Sequence, residues 1–249
     1  PAADGTGTTY TVGQTFNISV VGASLYALWF ETTPVMYNGN GNTGGTAPVD
    51  NTAYVSGSTV TVMGKGSLVK MQDGISLLYT GWNTAADGSG TFYAAGTTFV
   101  MGATNVILYA QWSILRGTGP AGGLVFYDKG AYSSGWRYME AAPYDQSDGI
   151  QWDDFDTEFN SPMGTIPAWH LCNNLVIGNY GDWFLPTKDQ LNLMYVNLKI
   201  YGVGEFSSSW YWSSTGHGCC LAWCENFSNG VQGYGNPPTP LRVRAARQF

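Results

Sequence analysis

Three groups of residues in this chain could do chemistry by type and spacing. His217-Gly218-Cys219-Cys220, with Cys224 close behind, offers the imidazole and thiolate donors that zinc takes. Zinc sites usually set one C-x-x-C pair against a second pair, and C-C-x-x-x-C has no such spacing. Free surface thiols are therefore the leading expectation, ahead of a local disulfide to Cys224 or a metal. Asp154-x-Asp156-x-Glu158 spaces carboxylates as a calcium loop would, without the glycine of an EF-hand loop. A solvated acidic loop is expected there. Thiol chemistry needs an activated cysteine positioned in a pocket. The only histidines, His170 and His217, stand in no motif that makes either a base. His170, between Trp169 and Leu171, reads as a satisfied helix residue, and Cys172 as a buried free thiol. No catalytic residue, no metal and no cofactor is expected, and the chain is not expected to be an enzyme.

Composition narrows the setting in which these residues work. Of 249 residues only 11% are charged, while 34 are glycine and 15% are aromatic. That mixture suits a turn-rich, extracytoplasmic protein built largely of strands. A net charge of -7 argues against nucleic acid, whose phosphates call for a basic face. Positive charge concentrates at Arg242, Arg244 and Arg247, which read as a strand with one anchored polar face. No apolar run reaches the ~20 residues that span a membrane. No direct membrane insertion is expected in this sequence, and any signal or anchor is expected upstream of it.

An internal repeat organises the first half. Residues 3–16 (ADGTGTTYTVGQTF) align without gaps on residues 86–99 (ADGSGTFYAAGTTF), and 25–29 (LYALW) on 108–112 (LYAQW). Alternation along Asn105–Trp112 predicts a strand with at least one buried face, and Thr59–Val62 a second. The GWNT-x-x-DGSGT-x-Y core and closing LYAQW resemble the Listeria–Bacteroides repeat, the internalin B-type repeat of bacterial surface proteins. The resemblance covers about 30–112 and implies small β-grasp-like modules that pack on their neighbours and act as spacers. Residues 1–29 then form the trailing part of a preceding copy, 30–115 a complete one, and Arg116–Pro120 a turn-rich hinge.

The second half, 116–249, reads differently. Strands are expected at Gly122–Asp128, Trp136–Pro143 and Gly181–Pro186, with a helix over 163–175. Thr187-Lys188-Asp189-Gln190 has capping-box spacing. Leu191, Met194, Tyr195 and Leu198 follow at i, i+3, i+4 and i+7, one buried stripe of a second helix. Two helices followed by loop-rich strands predict an α+β domain. GGLVFYDKG, GDWFLPTKDQLNLMY, YWSST, AW-x-x-NF-x-x-G and VRAARQF together resemble the Lcl C-terminal domain family. That resemblance implies a C-type-lectin-like fold on a bacterial adhesin or phage-type receptor. The EPN and WND triplets of calcium-dependent lectins do not occur.

From Ser207 onward two sequences interleave. A frame of Tyr211–Thr215, Ala222-Trp223, Asn226-Phe227, Gly230, Gln232 and Arg242–Phe249 alternates with an irregular filling. This fold is also used by targets of diversity-generating retroelements, in which template adenines are randomised. Asn codons then yield a restricted set that excludes Trp, Met, Lys, Gln and Glu. Between Gly216 and Leu241 the excluded types are Trp223, Glu225 and Gln232 alone, all in or beside the frame. The resemblance therefore implies variable ligand contacts at His217, Gly218, Cys219, Cys220, Leu221, Cys224, Ser228, Val231, Gly233, Tyr234, Gly235, Pro237, Pro238, Thr239, Pro240 and Leu241, within a variable region of about 207–249. The expected product is a monomeric, extracellular, surface-displayed binder of an unidentified protein or glycan. A constant adhesin is the alternative, and an oxidase of the formylglycine-generating type, which shares the lectin-like fold, a remote one.

Overall fold

The computed structural model describes residues 6–18, 22–152, 167–218, 221–237 and 239–249. Asp154, Asp156, Glu158, Cys219, Cys220 and Pro238 lie outside the described residues. The repeat module opens with β1 (Thr32–Thr33), β2 (Val35–Asn38), β3 (Tyr54–Val55) and β4 (Thr59–Thr61). It continues with β5 (Met71–Gln72), β6 (Ile75–Asn83), β7 (Phe92–Tyr93), β8 (Thr98–Val100) and the long β9 (Val106–Thr118). β9 is flanked antiparallel by β6 and parallel by β2. Trp82, Leu108, Ala110, Val60, Val62 and Leu68 fill the core beneath.

The segment expected as a hinge is instead part of β9 and the loop that follows it. β9 pairs onward with β10 (Leu124–Ser133), and β10 with β11 (Trp136–Ala141). The last strand, β17 (Ala246–Gln248), completes an eight-stranded sheet that crosses position 115 without a break. Gly117, Gly119 and Gly123 allow close approach, and Gly122 takes a left-handed turn at φ +81°. A side chain at Gly119 or Gly123 would collide with Glu140 or with the Ala141 carbonyl. Backbone N–H groups of Ala121 and Gly123 donate to the Glu140 carboxylate at 3.3 and 3.1 Å. This loop is wrapped around a fully buried acid, which removes the freedom a hinge needs.

The second sheet runs β12 (Ser147–Ile150), β16 (Leu241–Val243), β13 (Trp210–His217), β14 (Leu221–Asn226) and β15 (Val231–Gly235). β16 and β17 are consecutive in sequence yet belong to different sheets, so the terminal run of arginines stitches the two together. Arg242 and Arg244 both reach Asp145, at 3.0 and 2.7 Å, and Arg247 reaches Glu140 at 2.9 Å. The single strand expected there is not formed: Arg242 lies on β16, Arg247 on β17 and Arg244 on the link between them, each anchored by a carboxylate.

Helical structure among the described residues comprises α1 (Ala168–Asn173), α2 (Lys188–Asn197) and a 3-10 turn at Lys199–Tyr201. The α+β expectation is therefore overturned. Two short helices against seventeen strands, among the described residues, make an all-β fold. The helical signals were local and did not build a layer, while the alternating segments of residues 32–150 and 210–248 went into sheets. α2 itself forms as its sequence dictates. Thr187 Oγ1 accepts from the Gln190 N–H, Gln190 Oε1 accepts from the Thr187 N–H, and Leu191, Met194 and Leu198 are buried. The strand expected at 181–186 reduces to a single bridge, Phe184 to Ala246.

Candidate ligand-binding face

The two faces of the β13–β14–β15 sheet do different jobs, and strand alternation decides which side chain does which. Trp212, Cys224 and Gly233 lie across from one another on the inward face, as do Ala222 and Gly235. Trp212 is fully buried and its indole N–H donates to the Ile150 carbonyl at 2.9 Å. Trp183, Leu185, Ala168, Cys172 and Val243 complete this core. On the opposite face, α2 covers Tyr211, Phe227 and Glu225 with Leu191, Met194 and Tyr195. α2 begins only at Lys188, and beyond its N-terminus the outer face is open.

Three aromatic rings occupy that opening. His217, at the end of β13, stacks on Tyr234 of β15 with centroids 4.4 Å apart and planes 15° from parallel. Trp223 of β14 meets both edge-on, at 5.1 Å from His217 and 6.0 Å from Tyr234. The Lys188 ammonium lies 4.4 Å over the Trp223 ring. Tyr234 is 57% exposed and Val231, on the same edge strand, 53%. A cluster with aromatic faces, one cation and a phenolic hydroxyl at the rim can stack on, and hydrogen-bond to, a ligand with mixed polarity.

Under this cluster sits Glu225, fully buried on the same face. One carboxylate oxygen accepts from the Gln232 amide at 3.2 Å, and the other has no hydrogen-bond partner. Burial pushes its carboxyl up to about 7, against the lowering effect of the Gln232 bond. The Gln232 amide also donates to the Lys188 carbonyl at 3.0 Å, which ties the start of α2 to β15.

The structure divides the expected contacts. His217, Gly218, Leu221, Ser228, Val231, Tyr234, Thr239 and Pro240 lie on the outer face, on turns or on the exposed edge. Cys224, Gly233, Gly235 and Pro237 do not, and their assignment as surface contacts is corrected. Cys224 is 5% exposed against Trp212, its thiol is free, and burial pushes it up to about 11. A Cβ at Gly233 would lie 3.3 Å from the Trp210 ring, and one at Gly235 3.0 Å from the Trp212 ring. Pro237 is buried and its carbonyl accepts from the Trp152 N–H at 2.9 Å. Leu241 is half-buried, paired with Ile150. His217 and Cys224 project from opposite faces, so they cannot share one metal ion.

Trp223 is the residue that sequence reasoning misplaced most. It stands in the frame by sequence, yet it is half-buried among the outward rings. Its face follows from the pairing of Trp212 with Cys224, which turns the residue before Cys224 outward. His170 and Cys172 behave as expected, the first contacting the Asn174 amide at 3.0 Å and the second buried and free.

The chain matches no protein-family model. It is 45% identical over 118 residues to a protein of Evansella cellulosilytica whose name describes a Gly-rich membrane protein. It is 38% identical over 91 residues to a second protein of that organism, named only as a membrane protein. The alignments take in 45% and 36% of this chain but 13% of each relative, so the chain spans a small part of the curated relatives it matches. Among its own described residues no helix is long and apolar enough to cross a membrane.

Proposed function

We propose that this chain is a surface-displayed ligand-binding protein. Its contacts are the outward residues of β13, β14 and β15 and their turns, and they are diversified by a retroelement of the kind its C-terminal motifs resemble. The observation that carries this reading is the His217–Trp223–Tyr234 cluster, open beyond the end of α2 on a sheet fixed from both sides. Such a surface can exchange side chains at little cost to the fold. Tyr and His also give large contact area with few rotatable bonds to order. The names of the two relatives support attachment to a cell envelope, with the repeat module carrying the binding sheet outward.

The inward positions refine the proposal. Cys224, Gly233, Gly235 and Pro237 are held by packing, so diversification is confined to the outward set. They also favour a second reading, a constant adhesin using the same cluster, in which none of these codons varies. The locus separates the two. A nearby near-copy of the segment encoding 207–249, with adenines at the outward codons and a reverse transcriptase beside it, is the expected finding. A locus with neither feature leaves the constant adhesin.

A further inference from the structure

Lys188 is pinned at its backbone and free at its tip. Its N–H donates to Thr215 Oγ1 at 2.9 Å and its carbonyl accepts from the Gln232 amide at 3.0 Å, so β13 and β15 hold it from either side of β14. Among the described residues its ammonium pairs with no carboxylate and rests 4.4 Å over the Trp223 ring. Two residues on from Trp223, and so on the same face of β14, Glu225 is fully buried with one carboxylate oxygen unpartnered. Same-face neighbours on a strand stand roughly 7 Å apart, a distance that a lysine stem covers. The Gln232 amide touches both the Lys188 carbonyl and Glu225, at 3.0 and 3.2 Å. A second seat for the ammonium therefore lies beside the first.

A buried carboxylate with an unmet oxygen costs the fold most when it is ionised. Burial accordingly raises the Glu225 carboxyl to about 7. The other ionisable groups on the elements around it are committed elsewhere. Tyr211, directly opposite on β13, gives its hydroxyl to Asp145 at 2.8 Å, and Asp145 is itself paired with Arg244. His217 and Tyr234 stack on each other further out, Tyr195 of α2 packs edge-on against Phe227, and Asp189 is exposed. Lys188 is the member of this set that keeps a positive charge on both sides of neutrality.

We infer that Lys188 and Glu225 form a proton-controlled gate on the binding face, an inference that rests on the ligand-binding reading given above. With Glu225 protonated, the Lys188 ammonium occupies the Trp223 ring and denies it to a ligand. With Glu225 ionised, the ammonium moves to the free carboxylate oxygen and the ring is bared. The step releases one proton to solvent and exchanges a cation–ring contact for an ion pair. The face is closed at Trp223 below neutrality and open above it.

Nuclear Overhauser contacts between the Lys188 ε-methylene and the Trp223 ring, measured in the full chain without ligand, follow the ammonium directly. They should be strong at about pH 5 and largely lost at about pH 8, either side of the raised Glu225 carboxyl. Glu225→Gln, which cannot ionise, should keep them at both values. Lys188→Met should raise the pH at which the Glu225 carboxyl carbon shift titrates, because the ion pair that favours the charged form is gone. Contacts that fade equally in Glu225→Gln overturn the gate and make His217 the source. Contacts that persist at the higher pH in the unaltered chain, or a Glu225 titration unmoved by Lys188→Met, overturn it as well. No ligand enters these measurements. A gate that moves on a face that recovers no binder counts against the binding reading alone, and fixed contacts on a face that binds count against the gate alone.

Discussion

Tyr234 and Gly235 are adjacent in sequence and face opposite ways, and the difference sets how each tolerates change. Tyr234→Ala removes an exposed ring and should cost under ~1 kcal/mol, the scale of one surface aromatic contact. Gly235→Val drives a side chain into the Trp212 ring and should cost about 1–3 kcal/mol by overpacking. Thermal melts of the two variants check this, with a fall of roughly 2–4 °C per kcal/mol for a chain of this size. Glu225 adds a pH dependence of defined sign. Its carboxyl is raised to about 7 in the folded chain, so the folded state binds the extra proton between the ordinary carboxylate range and neutrality. Stability should therefore fall as pH rises from about 4.5 through 7, by no more than about 3 kcal/mol from this group. Glu225→Gln should flatten that slope in denaturant titrations at pH 5 and 8. At this scale the sequence was legible where alternation is strict, as at Tyr211 and Trp212. It was not legible across the bulge between Trp212 and Gly216, which shifts the hairpin register and brings His217 opposite Leu221.

Between elements, the firmest joint is the loop 117–123 closed over Glu140. Burial pushes the Glu140 carboxyl up, and Arg247 with the Ala121 and Gly123 N–H groups pulls it back. Glu140→Ala takes one of two carboxylate partners from Arg247, itself 7% exposed and still paired with Asp182, and opens the loop that leads from β9 into β10. Losing one partner of a buried pair costs about 3–5 kcal/mol. Urea denaturation should show that loss, whereas Arg137→Ala, which breaks the more exposed pair with Asp128, should cost under ~1 kcal/mol. The capping box of α2 and its buried stripe could be read directly, because both are local in sequence. The fate of Arg116–Pro120 could not. Turn-forming residues mark a hinge and a carboxylate-binding loop alike, and the deciding partner, Glu140, lies about twenty residues away.

For the whole molecule, the consequence is that repeat module and binding sheet are one body. Ile75 and Leu77 of the module pack with Val125, Tyr138 and Phe249 of the C-terminal half, and the Tyr138 hydroxyl donates to Asp73 at 2.8 Å. Heating should therefore unfold residues 30–249 in a single calorimetric transition, with two resolved transitions counting against a shared core. The sequence marked the repeat and the change of pattern after it, because both are visible in the order of residue types. It could not show that β9 continues through the boundary, nor that β16 and β17 split between two sheets. Long-range pairing leaves no local trace. The same limit inflated the helical share of the expected fold. The interleaved C-terminal segment suggests a division between held and replaceable side chains, which the strand faces redraw at Cys224, Gly233, Gly235 and Pro237, and the redrawn division can be measured in one experiment. Two surface-displayed libraries are compared for protease resistance and for recovery of binders from a panel of purified proteins. One randomises His217, Leu221, Ser228, Val231, Tyr234, Thr239 and Pro240, and the other Cys224, Gly233, Gly235 and Pro237. The first library should stay largely folded and yield binders, while most members of the second lose resistance. Equal loss of resistance in both, or a folded first library with no binders, would contradict a replaceable binding face on β13, β14 and β15.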